Sequence, residues 1–546
     1  MKIFTQSLIV LFTFIFKTLL FAQGYDQAVN SSASGQEGEA HIAINPLDSN
    51  KLVVGFMQTG SAVGFKIFHS SNGGDSWQES QLNISAALQD FFPSYTPAGG
   101  GDIVFAYDKE GTLYCSWIYL LANPSDPNYL SNLLWRSFWA KSTDNGQTFT
   151  FEDGDNKFFG KGVLDLSSGQ LQIVDTETGI CDRQWMAVDM TDGSYSNRTY
   201  ISFLQGSISY GFGLVVKTLN NQSTAFENPV LAYEGAIQHA NIRVDKNGIL
   251  HCSFINTEQN TVLYINSSDG GQTFSDPYLI YQGISLMPNS NNIVINNRES
   301  GAPSLAIDGD DNLHLVWSDI DSTVISFYSK STDNGQSWTD PQPLTDYFND
   351  MVFMPVVSAK ENKVSIGGNI VNDELKSEYK IIYSRDYGQT FLYPKLMSTD
   401  IIDFDAVGQD VFVGDYSSAV RTYCNIYSLW THCVGSNCQQ YVAKYDECNS
   451  TSITEHTPIN STFSIDKIYP NPATENVFIE LQSENNEQFS LEILNLKGQK
   501  IFYDSYDIAE GENRISIDLS KIAKGNYLLK VKNESGIFIS RTIIKQ

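Results

Sequence analysis

The residues of this 546-residue chain that could do chemistry are mostly carboxylates standing just ahead of short apolar runs. Glu39 and His41 flank the start of "AHIAI", Asp102 precedes "IVFAY", and Asp182 and Arg183 precede "QWMAV". His239, Asn241, Glu299, Asp350 and Asp405 hold comparable positions further along. Carboxylates grouped in this way suit proton transfer, and Arg183 is the clearest cation among them. Arg385 lies inside a turn motif and is expected to face away from these groups, and Arg198 is expected on a turn between strands.

Two other chemistries find no support. The seven histidines form no His-Glu-x-x-His pair, and no Gly-x-Ser-x-Gly elbow occurs. "DGDDN" at 308–312 is too short for a calcium loop and occupies the same place as the turns "DKNG" and "DKEG". Neither a metal nor a cofactor is expected.

The elements that must position these groups are announced by a repeat. "STDNGQTF" at 142–149 returns as "STDNGQSW" at 331–338, with relatives "SSNGGDSW" at 70–77, "SSDGGQTF" at 267–274 and "SRDYGQTF" at 384–391. "TLNNQSTAF" at 218–226 is a degraded sixth copy. Asp or Asn can accept bonds from backbone N–H groups ahead of it, Gly supplies a positive φ, and the Ser hydroxyl can close the same loop. The terminal aromatic is expected to bury itself between neighbouring sheets. Each octet is therefore a turn staple without catalytic content.

Upstream of each copy lie two short alternating runs joined by a turn, such as "DIVFAYDKEGTLYCSW" and "PSLAIDGDDNLHLVW". A seventh, weaker unit begins near Phe404 and runs into a cysteine-rich hairpin. Units recurring on this period predict an all-β, seven-bladed β-propeller over residues 25–448. Six blades are the alternative, since the N-terminal segment can instead pair with the last unit. A sandwich would not repeat a turn motif at this spacing.

Residues 1–22 read as a secretory signal peptide with a basic start and a cut after Ala22; an uncleaved anchor is the alternative, although Lys17 interrupts the apolar run. The formal charge of −28 becomes about −30 without Lys2 and Lys17, which disfavours nucleic acid and anionic membranes as partners. All seven cysteines lie in the exported part. Cys433–Cys438 closing a hairpin and Cys424–Cys448 outside it are favoured over a zinc site with His432, whose ligand spacing is non-standard. Cys115, Cys181 and Cys252 then leave one thiol unpaired.

The octets resemble Asp-boxes, or BNR repeats, and "CDRQWMAVD" at 181–189 and "GDY" at 414–416 resemble segments of secreted bacterial sialidase-like proteins. The resemblance to the sialidase superfamily implies an exo-glycosidase for an acidic terminal sugar. "DYSSAV" at 415–420 resembles the stretch that holds the sialidase nucleophile, which implies Tyr416 as nucleophile and Glu299 as the group polarising it. Asp102 or Asp182 would serve as acid, with Arg183, Arg298 and Arg421 on the substrate carboxylate. The chain departs from the family in having "AHIAI" where an Arg-Ile-Pro motif is expected. Asp-boxes also occur in non-sialidase propellers. The rival reading is therefore a non-catalytic glycan- or protein-binding surface propeller, with "NYLSNLLWRSFWAK" at 128–141 as a source of exposed aromatics.

Further on, "IYPNPATENVFIEL" at 468–481, "LEILNLKGQKI" at 491–501, "ISIDLSKIAKGNYLLKV" at 515–531 and "RTIIK" at 541–545 resemble a type A sorting domain of the type IX secretion system. That implies a Bacteroidetes source, the secretion machinery as partner, and an extracellular or cell-surface destination. Alternating apolar residues there predict a small β-sandwich over 465–546, with 449–464 as linker; an accessory β-domain is the plainer alternative.

Overall fold

A computed structural model describes residues 26–30, 36–59, 64–89, 92–169, 172–207, 211–221, 223–286, 301–320, 324–372, 374–392, 394–407, 413–448, 462–495, 500–533 and 538–546. The expected leader, most of the linker, Arg298 and Glu299 lie outside them. The chain is almost entirely β.

Antiparallel strands follow one another in units of up to four, each unit opening with an inner strand. The inner strands are Gln36–Ile44, Thr96–Tyr107, Gln172–Val188, Ile237–Val244, Ser304–Ile307, Met351–Lys360 and Ser418–Arg421. They begin units one to seven in that order. Unit seven holds three strands from its own segment and gains another from far away: Asp26–Ala28 pairs antiparallel with Asn437–Asp446, Ala28 opposite Tyr441. Backbone bonds thus link the two ends of this region.

The apolar core is divided among the seams between units. One cluster joins Val53 and Ile67 of unit one to Ile103 and Trp117 of unit two. Others join units two and three through Trp139 and Met186, three and four through Tyr200 and Ile242, and four and five through Tyr264 and Leu315. Units five and six meet at Val316 and Val352, six and seven at Tyr379 and Trp430, and seven and one at Leu429 and Val54. Each fully buried large side chain contributes about 1.5–3 kcal/mol over its exposed state, so no seam is dispensable.

The octets sit where the third strand of a unit hands over to the fourth. In the 142–149 copy the N–H of Gly146 donates to Ser142 Oγ at 2.9 Å and the N–H of Thr148 to Asp144 Oδ1 at 2.9 Å. The same two bonds recur at Gly74/Ser76, Gly271/Thr273, Gly335/Ser337 and Gly388/Thr390. The five glycines have φ between +69° and +86°. Trp77, Phe149, Phe274, Trp338 and Phe391 each pack into the seam with the preceding unit.

Cys433–Cys438 and Cys424–Cys448 are disulfides, so these thiols are not metal ligands. Cys115, Cys181 and Cys252 are all free and buried, which corrects the expectation of a single unpaired thiol: each sits on a different unit. Asp308 in "DGDDN" accepts from the N–H groups of Asp310 and Asn312, as a turn residue does.

Near the C-terminus, Phe463–Tyr469, Asn476–Ser483 and Gly511–Asp518 form one sheet and Glu487–Leu494, Lys500–Ile508, Gly525–Asn533 and Phe538–Lys545 another. Both contribute to a single apolar core that includes Val477, Ile479, Leu491 and Val531.

Candidate functional site

Five inner strands carry the same irregularity. Pairing with the second strand slips between Gly38 and His41, Gly101 and Val104, Asp182 and Trp185, Gln238 and Asn241, and Phe353 and Val356. Within each slip one non-glycine residue takes a left-handed conformation: Glu39 (φ 50°), Asp102 (53°), Arg183 (51°), His239 (53°) and Met354 (52°). A bulge re-aims side chains out of the pleat, and each left-handed residue costs about 1–2 kcal/mol that the surrounding sheet must offset. Four of the five are ionisable, so the repeated strain delivers polar groups to equivalent places.

Those groups meet. The backbone N–H of Arg183 donates to Asp102 Oδ2 at 3.1 Å, and the side-chain amide of Gln184 donates to the carbonyl of Asp102. The guanidinium of Arg183 reaches Asp415 Oδ2 at 3.1 Å and His239 Nδ1 at 3.0 Å. The Asp182 carboxyl is pushed up to about 7, first by burial and then by the like charge of hydrogen-bonded Asp102, with Arg183 opposing. The Asp182 carboxyl therefore keeps its proton near neutral pH, since a buried carboxyl beside a like charge ionises only at a cost. Tyr416 stands beside them. Burial and the carboxylates of Asp102, Glu39 and Asp415 push its phenol well above its ordinary range, so it is neutral. Its ring meets Trp185 edge-on at 5.8 Å.

Below this cluster is a cavity of about 330 Å³. Every unit contributes to its wall from its inner strand, as His41, Phe105, Trp185, Asn241, Ser304, Met354 and Ser418 show. Arg183, Asp415 and Tyr416 line it as well; Asp102 and Asp182 reach it through Arg183.

Asp102, Asp182, Arg183 and Tyr416 are thus brought together. Arg421 is not: it ends the inner strand of unit seven, five residues beyond Tyr416, and its buried guanidinium bonds to Glu447 Oε2 at 2.6 Å. Arg385 also binds Glu447, facing away from the cluster as its place in an octet predicts. Asp350 is exposed. Asp415 was missed, although its position beside Tyr416 in "GDY" was a signal. Glu39 and His239 were visible as residues ahead of inner strands, but nothing in the sequence marks the bulges that turn them inward.

Residues 467–546 match the family described as "Secretion system C-terminal sorting domain". That domain indicates export by type IX secretion to the cell surface or extracellular space. No helix among the described residues is long and apolar enough to cross a membrane. A search of curated proteins finds no match to the chain. Among solved structures, the chain is similar to a protein of unknown function from Dyadobacter fermentans DSM 18053, at 11% identity and TM-score 0.41 over 78% of this chain and 98% of that one. It is similar to an ulvan lyase of polysaccharide lyase family PL25 at 10% identity and TM-score 0.43, covering 77% and 96%. The Hadza microbial sialidase Hz136 aligns at 10% identity and TM-score 0.36, covering 72% and 73%.

Proposed function

We propose that residues 25–448 form a closed seven-bladed propeller of sialidase-like plan, joined by a linker at 449–464 to the sorting domain, and that it acts on extracellular or cell-surface glycans at the mouth of its hub. The seven units, their cyclic order of seams and the pairing of Asp26–Ala28 with the last strand support the closed ring. One observation carries the functional reading: Asp182, raised to about 7 beside Asp102, lies with a neutral Tyr416 and Arg183 at a cavity that all units line.

In the enzymatic form the chain is an exo-glycosidase for an acidic terminal sugar. Asp182, which holds its proton near neutral pH, gives it to the leaving oxygen. Tyr416 attacks the anomeric carbon as its proton passes to a neighbouring carboxylate; Glu39 is one of those facing it. Arg183 orients the substrate's anionic group.

The rival reading, a non-catalytic glycan-binding propeller, is favoured by a specific contact. The Arg183 guanidinium is already engaged by Asp415 and His239, whereas a carboxylate clamp needs guanidiniums to spare. Assay of the exported chain on fluorogenic sialosides and uronides decides between them. Turnover lost in both Tyr416→Phe and Asp182→Asn supports the enzyme. Glycan-array binding without turnover leaves the binding module, and neither binding nor turnover on the panels refutes the glycan reading.

A further inference from the structure

The cavity wall carries an arginine that pairs with no carboxylate among the described residues. Arg243 lines the cavity, and of the five N–H donors on its guanidinium one goes to the carbonyl of Ile242 at 2.8 Å. No described residue forms a salt bridge with it, and its guanidinium carbon lies over the face of Trp185, 5.7 Å from the ring centroid. Burial lowers its affinity for the proton to about 10, still far above neutrality, so the charge stays. A cation taken out of water without a counter-charge is costly, and buried charges are normally paired.

A second donor stands at the same place without an acceptor among the described residues. His41 packs edge-on against Trp185 at 5.0 Å, and its Nδ1 accepts the backbone N–H of Phe105 at 3.3 Å. That bond places the proton of the neutral ring on Nε2, and burial together with Arg243 keeps the ring neutral by lowering its pKa to about 3. The wall here therefore offers one positive charge and an imidazole N–H.

We propose that the hub holds a small monoanion, a carboxylate or a halide, bound by Arg243 and His41 Nε2–H. This site is separate from the acid pair and stands whether or not the chain turns over a glycan. The anion has two sources, a free ion or the carboxylate of a sugar seated in the cavity, and they share this recognition chemistry.

The test is thermal unfolding of the full exported chain titrated with sodium chloride, sodium acetate and sodium glucuronate, with Arg243→Met in the same salts as the baseline. A binder specific to the folded state raises the wild-type Tm with saturation, by at least about 2 °C over the variant's response at high occupancy. A shift with chloride or acetate assigns a resident ion, and a shift with glucuronate alone assigns a sugar carboxylate; both support the site. Equal responses of wild type and variant overturn it. Should Arg243→Met fail to fold, chlorine-35 line broadening by the wild type decides: broadening relieved by acetate or glucuronate supports the site, and broadening that neither relieves overturns it. Loss of turnover in Tyr416→Phe with the anion response intact would separate this site from the glycan reading.

Discussion

Replacing Glu447 by Gln tests how the seam between units six and seven is held. Glu447 follows the strand Asn437–Asp446 and has no side-chain exposure. Its carboxylate receives Arg421 at 2.6 Å, Arg385 at 2.8 Å and Lys363 at 3.2 Å. Arg421 is as buried as Glu447 and Lys363 nearly so, whereas Arg385 is half exposed and can return to water. The amide keeps the shape and some hydrogen bonds but abandons two buried cations. Breaking a buried pair in this way costs about 3–5 kcal/mol. With an unfolding entropy of about 2.1 cal/mol/K per residue over roughly 420 residues, a cooperative melt should fall by about 3–6 °C. Calorimetry of Glu447→Gln, Arg421→Met and the double variant measures this, and the double variant should lose less than the sum of the singles. A fall below about 1 °C for Glu447→Gln, or strict additivity, would refute the idea that this carboxylate neutralises the seam.

The Asp182 carboxyl holds its proton more tightly in the folded chain than its ordinary value near 3.8, so wild-type stability is lost as pH rises from about 4 through about 7. Asp182→Asn lacks that loss; its Tm advantage should grow across this window and level off above it, and a pH-independent difference would count against the raised Asp182 carboxyl. Gly146→Ala should be worse than Gly169→Ala, although φ is +80° and +78° at the two. At Gly146 the added methyl meets Val53 Cγ2 at 2.5 Å, whereas at Gly169 nothing lies within 4 Å. Gly169→Ala should cost about 1–2 kcal/mol from backbone strain alone, and denaturant titration of the pair reads the difference.

What could be read from the sequence follows the range of the interactions involved. The octets were legible because every bond in them closes within six residues, from Ser142 to Thr148 for example. Asp102, Asp182 and Arg183 were legible as residues ahead of inner strands, and Tyr416 through its family-like neighbours. Arg421 was misplaced for a geometric reason. At about 3.3 Å per residue, five residues of strand carry it roughly 16 Å from Tyr416, toward the far end of the unit. Its partner Glu447 comes from a different strand, and no local pattern announces it. The bulges and the lack of a described carboxylate beside Arg243 were likewise invisible, since both depend on what the neighbouring strand or unit does not supply.

The pairing of Asp26–Ala28 with Asn437–Asp446 ties completion of the molecule to its own synthesis. This first described strand waits, unpartnered, while some four hundred residues emerge, and its backbone groups are satisfied only when the last unit arrives. A nascent or clipped chain lacking either end would present a raw sheet edge to its neighbours and invite intermolecular pairing.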